Sequence, residues 1–296
     1  MSDRFLSKSK SPKFAHYFEY AGFRVVTAII NIIPLGMASF LMGAIWQLLA
    51  RFNKRHNKVL THLRAAFPER DEQWIVDTAF KHWNNLGRTF AEGLCIQKLL
   101  KRTDKVKLVS NGLMDSIASD QRGAVLVSLH MGNWEVLAIP ALQTGLSMAG
   151  IYQRPTNPFV DAYIRRIREP LYPGGLHAKS KKTVNDVIQW VRGGDTVCMM
   201  GDLRHPRGLM VPFFNAPAPS NPFPALLADK LQVPLIVARS QRVGGVTFRV
   251  DAVEIMPSEC TDHDKRIEQT TAKIHAQFEV WIRETPHQWM WGHRRR

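Results

Sequence analysis

The chain has 296 residues, 45% hydrophobic and 22% charged, enough for one large core with an appendage and too apolar for a disordered protein. Forty Lys and Arg against 25 Asp and Glu leave a formal charge of +15, which favours acidic partners: anionic lipid, nucleic acid or an acidic carrier protein. The three cysteines, Cys95, Cys198 and Cys260, form no C-x-x-C pair and have no zinc-ligand spacing, so they read as reduced thiols in a cytosol-facing body.

Residues 1–20 are polar and basic, with Lys8, Lys10 and Lys13, and show no secretory cleavage pattern. Residues 25–50 then contain no charged side chain, a run long enough to cross a bilayer. Asn31, Pro34, Gly36 and Gln47 interrupt it, and Pro34 is expected to kink or split the helix. Three readings stay open: a spanning anchor, a kinked helix lying in one leaflet, and a soluble core helix. Arg51, Lys54, Arg55 and Lys58 follow at once, as a cytoplasmic anionic surface would favour, while basic residues on the other flank favour a monotopic arrangement. Trp46 is either an interfacial anchor or core. The expected division is residues 1–56, a basic segment and membrane-anchoring helix, and residues 57–296, the catalytic domain.

Residues 57–100 have helical spacing. Val59, Leu60, Leu63 and Phe67 form an apolar face that Pro68 ends, and Asp71 caps the next helix. Arg88 and Glu92, four apart on that helix, read as an exposed ion pair. Strands are predicted at 105–110, from 124 to an edge near 130, and at 150–153, 196–200, 235–239 and 247–253. Helices are predicted at 112–119, 136–143, 159–169, 183–192, 224–231 and 265–283, with a loop at 207–221. This alternation makes the class α/β.

The stretch from Ala124 to Glu135 organises the rest. Its apolar run, with Val at alternate positions, fits a strand covered on both faces. Gly132 and Asn133 are turn formers, and Asn133 is also a reasonable helix N-cap. His130 then sits at a strand's carboxyl edge, where α/β sheets place ligands, and Glu135 sits in the first helical turn. A histidine held by a carboxylate is a general base at neutral pH. Asp202, at the end of another strand, is the rival partner; Glu135 would then bind the acceptor or brace the turn. Ser128 shares a strand face with His130, so a serine nucleophile stays open, although no strained nucleophile elbow is visible. Phosphate-loop, dinucleotide, zinc-protease and serine-hydrolase signatures are absent.

Arginines suit sugar phosphates, because a guanidinium fork matches phosphate oxygens. Arg154, between a strand and Pro155, is the better site candidate. For any one of Arg165, Arg166 and Arg168 a solvated helix face is the better reading, and Arg204 and Arg207 either meet phosphates or keep a loop soluble. Phe213 and Phe214 line an acyl groove or pack in the core; Cys198 is expected to be inert core.

His130-Met131-Gly132-Asn133-Trp134-Glu135 resembles the H-x-x-x-x-[DE] box of glycerolipid acyltransferases, and is closer still to the lipid A late acyltransferases, the lauroyl and myristoyl transferases of Gram-negative envelopes. The likeness extends to the charge-free N-terminal helix, Ala66-Phe67-Pro68-Glu69, Tyr152-Gln153-Arg154-Pro155 with Asn157-Pro158, and Gly201-Asp202. It continues through Val211-Pro212-Phe213-Phe214, Ala216-Pro217-Ala218, and Gln288-Trp289-Met290-Trp291 with His293 and Arg294. It departs at Asn215, where such proteins often show Gly, and in the Tyr172-Pro173-Gly174-Gly175 loop.

The resemblance implies a central mixed sheet flanked by helices, with an N-terminal hydrophobic membrane helix. It implies acyl transfer from acyl-acyl carrier protein to a hydroxyl of an anionic lipid A precursor, at the inner membrane with the catalytic domain facing the cytoplasm. No metal, no other cofactor and no nucleic acid are expected. His130 is the base, with Glu135 favoured over Asp202 as its partner on motif grounds. Backbone N–H groups of Gly132 and Asn133, or Arg154, are oxyanion donors; Arg154, Arg168 and Arg207 bind substrate. Direct transfer in a ternary complex is expected, since no serine or cysteine intermediate is required. Two alternatives remain: an acyltransferase acting on a lysophospholipid or another glycolipid, and a basic non-catalytic protein that binds membrane or nucleic acid.

Overall fold

A computed structural model of the protein describes residues 13–293, so Lys8, Lys10 and Arg294 lie outside the described residues. The charge-free run forms two helices, α1 (Phe14–Ile32) and α2 (Leu35–Leu48). Their break has a local cause. Ile33 precedes Pro34, and the proline ring drives it out of the helical region to φ −84°, ψ 155°. Among the described residues no helix is long and apolar enough to cross a membrane, which corrects the expectation of a spanning anchor.

Two short-linked helices follow, α3 (His56–Ala66) and α4 (Glu72–Leu94). The Asp71 carboxylate accepts the Trp74 N–H at 2.7 Å and caps α4 as expected. Helix α2 lies against α4 through glycine. A Cβ on Gly87 would stand 2.5 Å from the Met42 carbonyl oxygen, and one on Gly43 2.8 Å from Arg88 Cγ. Both backbones therefore approach more closely than any side chain allows. The outward side of the pair keeps Phe18, Val25, Ile29, Phe40, Leu41 and Leu48 exposed.

After α5 (Ile96–Leu100) come β1 (Val106–Val109), α6 (Leu113–Asp120), β2 (Ala124–Ser128), α7 (Ala138–Gln143), β3 (Met148–Tyr152), α8 (Pro158–Arg168) and β4 (Leu176–Ala178). Then follow α9 (Lys181–Arg192), β5 (Thr196–Met200), β6 (Leu209–Phe213), β7 (Ala216–Ser220), α10 (Phe223–Leu231), β8 (Leu235–Gly244), β9 (Thr247–Glu254) and α11 (His263–Glu284). Seven strands form one sheet in the order β1-β9-β8-β2-β5-β3-β4. All its pairings are parallel except β8 with β9, so the sheet is mixed, as the resemblance implied.

Alternation along β2 feeds two cores. Val125 and Val127 join the layer built with α3, α4, α9, α10 and α11. Ala124 and Leu126 join the opposite layer with α5, α6 and α7. A strand apolar on both faces is what a doubly covered sheet requires.

Residues 207–221 are not a loop. β6 and β7 pair as an antiparallel ribbon, with Val211, Phe213, Ala218 and Ser220 buried on one side. Pro212, Pro217 and Pro219 hide this alternation, because proline argues against a strand except where no ladder hydrogen bond is needed. Phe213 and Phe214 pack in the core beside Trp289 and Trp291, not along a groove.

Because Gly87 meets backbone rather than a flexible side-chain end, Gly87→Ala must push α2 and α4 apart. The variant should lose about 1–3 kcal/mol of stability, the usual cost of overpacking, read as a lowered denaturant midpoint.

Candidate active site

β2 and β5 are parallel neighbours in register Ser128 to Met200. His130 and Asp202 each lie two residues past those partners, so equal overshoot brings them together at the carboxyl rim. The chain leaves β2 for β3 on one side and β5 for β8 on the other, and such divergence opens a crevice at the strand ends. Gly201 keeps the two exits close. Its N–H donates to the Ser128 carbonyl at 2.7 Å, and a Cβ there would stand 2.5 Å from Val127 Cγ1.

The carboxylate that meets the imidazole belongs to Asp202. His130 Nδ1 donates to Asp202 Oδ1 at 2.8 Å. Asp202 Oδ2 accepts the His130 backbone N–H at 2.8 Å and the Trp289 indole N–H at 2.8 Å. Burial alone would raise the Asp202 pKa. The His130 charge, the hydrogen bonds from His130 and the indole outweigh burial and hold it at about 2. An ionised carboxylate only accepts, so it fixes the proton on Nδ1 and leaves Nε2 as the basic nitrogen. The His130 side chain is 14% exposed, enough to open onto a cavity of about 580 Å³. Leu137, Ile151, Leu176, Met199 and Phe223 line its apolar part, and Glu135, Arg168, Lys179 and His205 its polar part. That size and make-up suit a ligand with a long apolar portion and a polar end.

Glu135 does not reach His130 as its orienting partner. It is ion-paired with Arg168 and accepts the Trp134 indole N–H at 3.1 Å. Trp134 instead packs edge-on against the His130 ring, 5.0 Å between centroids. Arg168 is the one predicted substrate arginine that lines the cavity. Arg154 is half exposed, outside the lining, and pairs with Asp161 at 3.3 Å. Arg207 and Arg204 are exposed and also outside it.

The turn residues are held by structure. Gly132 sits at φ +58°, and its N–H donates to the Gln288 carbonyl at 3.0 Å. That N–H is therefore not an oxyanion donor. A Cβ on Gly132 would stand 2.2 Å from the Ser240 carbonyl oxygen, so only glycine fits. Asn133 is fully buried; its Oδ1 accepts the Glu135 N–H at 3.1 Å, as an N-cap should, and its Nδ2 donates to Glu92 at 2.9 Å. The Ser128 hydroxyl is buried and donates to the Ala238 carbonyl at 2.8 Å, so it is no nucleophile. Burial, with Glu135 nearby, pushes the Cys198 thiol up to about 12, which leaves it inert.

Glu92 overturns the expectation of an exposed pair with Arg88. It is fully buried and takes a two-pronged guanidinium contact from Arg242, at 2.5 and 2.8 Å. Ser39 Oγ donates to it at 2.6 Å. Asn85 and Thr89, on the same helix, both donate to the Gly132 carbonyl, at 3.2 and 2.6 Å. These supports and Trp289 were missed. Asn85, Thr89 and Glu92 fall at i, i+4 and i+7, a polar stripe on a packed helix that was a readable signal.

Fold and site together define an α/β protein with an oriented imidazole at the carboxyl rim of its sheet and an apolar cavity before it. Residues 6–296 match the family model of bacterial lipid A biosynthesis acyltransferases, and the chain belongs to that family. It is thus an acyltransferase of lipid A biosynthesis, with a lipid A precursor and an acyl donor as the substrates the family implies. No curated protein matches the chain.

The folded Asp202 pKa of about 2 lies below the unfolded value of about 3.9. Its stabilising contribution is complete above pH ~4 and disappears as the pH falls toward 2. Asp202→Asn should therefore show a shallower loss of stability than the parent between pH 5 and 2, measured by urea unfolding at each pH.

Proposed function

We propose that the protein transfers a fatty acyl chain from acyl-acyl carrier protein to a hydroxyl of a lipid A precursor, with His130 as general base. The observation that carries this reading is the bond from His130 Nδ1 to an ionised, buried Asp202, with the imidazole opening on the cavity. The acceptor O–H proton passes to His130 Nε2 as the oxygen attacks the thioester carbonyl. The tetrahedral intermediate collapses, the C–S bond breaks, and the departing thiolate takes the proton back from the imidazolium. Asp202 stabilises that imidazolium without itself becoming protonated. Arg168, which lines the cavity and is ion-paired with Glu135, is the residue we assign to the developing oxyanion or an acceptor phosphate. Neither Ser128 nor Cys198 serves as a nucleophile, so both substrates occupy the cavity together.

The exposed apolar side of α1 and α2 supports peripheral attachment to the inner membrane. Arg51, Lys54 and Lys58, exposed just beyond it, suit an anionic cytoplasmic leaflet. A basic, largely positive surface likewise suits an acidic carrier protein.

Transfer from radiolabelled acyl-carrier thioester to a lipid A precursor tests the assignment. His130→Ala should lower turnover about 10²–10⁴-fold, the usual worth of a positioned base. Asp202→Asn should fall in the same range, while Glu135→Gln chiefly raises the acceptor KM. Full turnover by a folded His130→Ala protein would remove the base.

A further inference from the structure

Lys81, Asn84, Asn85 and Arg88 fall at i, i+3, i+4 and i+7 along α4 and share one face. With Gln47 of α2 and His287, they border a second cavity, of about 240 Å³. It lies across the Gly132 turn from the acyl-transfer cavity, since Asn85 Nδ2 donates both to the Gly132 carbonyl and, at 3.3 Å, to that of Gln288. Its volume is below that of a cavity for a whole glycolipid and suits a headgroup.

The charges of this cavity are unbalanced. Arg242, at its floor, is neutralised by Glu92. Among the described residues no carboxylate pairs with Lys81 or Arg88. Arg88 Nε donates to Asn84 Oδ1 at 2.8 Å and Nη1 to Ser39 Oγ at 3.4 Å, both neutral oxygens. Burial, then the Arg242 charge, lowers the Arg88 pKa against a smaller opposing pull from Glu92, which is already paired with Arg242; burial, then Lys81 and Arg242, lowers that of His287. Cations crowded in this way make a positive concavity that attracts an anion. The cavity also adjoins the apolar face, because the Arg88 guanidinium stacks over the ring of Phe40, 5.7 Å from its centroid, and Phe40 is exposed. A guanidinium and an ammonium flanked by side-chain amides suit phosphate oxygens.

We propose that this cavity binds the phosphate headgroup of an anionic phospholipid of the supporting membrane, apart from the acyl-transfer cavity. The inference rests on the peripheral attachment through α1 and α2 proposed above. A phosphate seated there would hold the α2–α4 seam at the bilayer surface and orient the catalytic rim toward lipid substrate.

Flotation of the full chain with phosphatidylcholine vesicles, with and without phosphatidic acid, tests it. Phosphatidic acid should tighten binding, and Lys81→Ala and Arg88→Gln should each reduce that gain about fivefold, ~1 kcal/mol for a basic group at an anionic surface. Among the described residues the Lys81 side chain has no hydrogen-bond partner, so its variant carries no folding penalty from lost bonds. Lys54→Ala removes the same single charge beside the same apolar face and should cost clearly less; an equal loss would mean a diffuse charge effect and overturn the site. Inorganic phosphate binding as tightly as soluble short-chain phosphatidic acid, by calorimetry, would overturn the lipid assignment. Leu41→Asp/Ile45→Asp should abolish binding to phosphatidylcholine vesicles. Survival of that binding would sink the membrane attachment alone, and the Lys81 and Arg88 effects on short-chain phosphatidic acid would still decide the phosphate site.

Discussion

The Asp202 carboxylate is the constraint on which the site depends. Both its oxygens are occupied, by the imidazole and backbone of His130 and by the Trp289 indole. Three separate parts of the chain therefore meet at one buried negative charge: the exit of β2, the exit of β5 and the segment after α11. A buried carboxylate with an incomplete set of donors would be costly, so the arrangement is close to all-or-none. Either the rim is assembled with the imidazole oriented, or the charge is stranded.

A second buried charge supports the first from behind. Glu92 receives Arg242 from β8, Ser39 from α2 and Asn133 from the turn after His130. Removing one partner of such a pair leaves the other uncompensated, at a typical cost of 3–5 kcal/mol. Glu92 thus joins the N-terminal helices to the same turn that Asp202 fixes from the cavity side. The Gln288 side chain reinforces the connection: its Oε1 accepts the Arg242 N–H at 2.7 Å and its Nε2 donates to the Arg242 carbonyl at 2.9 Å. Helices that look like an appendage in the sequence are wired into the turn after His130.

What was legible follows from the range of each interaction. Apolar periodicity and local capping are short-range, so α4 with its Asp71 cap and the strand at Thr196–Met200 could be read directly. The ribbon of β6 and β7 was hidden by prolines, which mask alternation locally while tertiary packing of Val211 and Phe213 overrides them. The choice between Glu135 and Asp202 was not local at all. It depends on β2 and β5 being neighbours, a fact of strand order that no spacing encodes. A motif that places Glu135 five residues from His130 makes the nearer carboxylate attractive, yet the 3₁₀ turn over Trp134–Leu137 carries that side chain toward Arg168. Arg154 failed for a similar reason: beyond the end of β3 its guanidinium turned to Asp161 on α8 instead of the cavity.

The turn from His130 to Asn133 touches both cavities, through His130 on one and through the Asn85 bond to Gly132 on the other. Gly132 makes this possible. Its positive φ and missing Cβ let the turn lie against Ser240, while its carbonyl faces Asn85 and Thr89 on α4 and its N–H faces Gln288. Every polar group of that glycine is spent on holding position, so none remains for substrate. The side chains on its flanks stay free to face the cavities, His130 the apolar one and the basic stripe of α4 the other. Asn133, a box residue, is fully buried for the same reason: its side chain ties the turn after His130 to Glu92 and does not line the cavity.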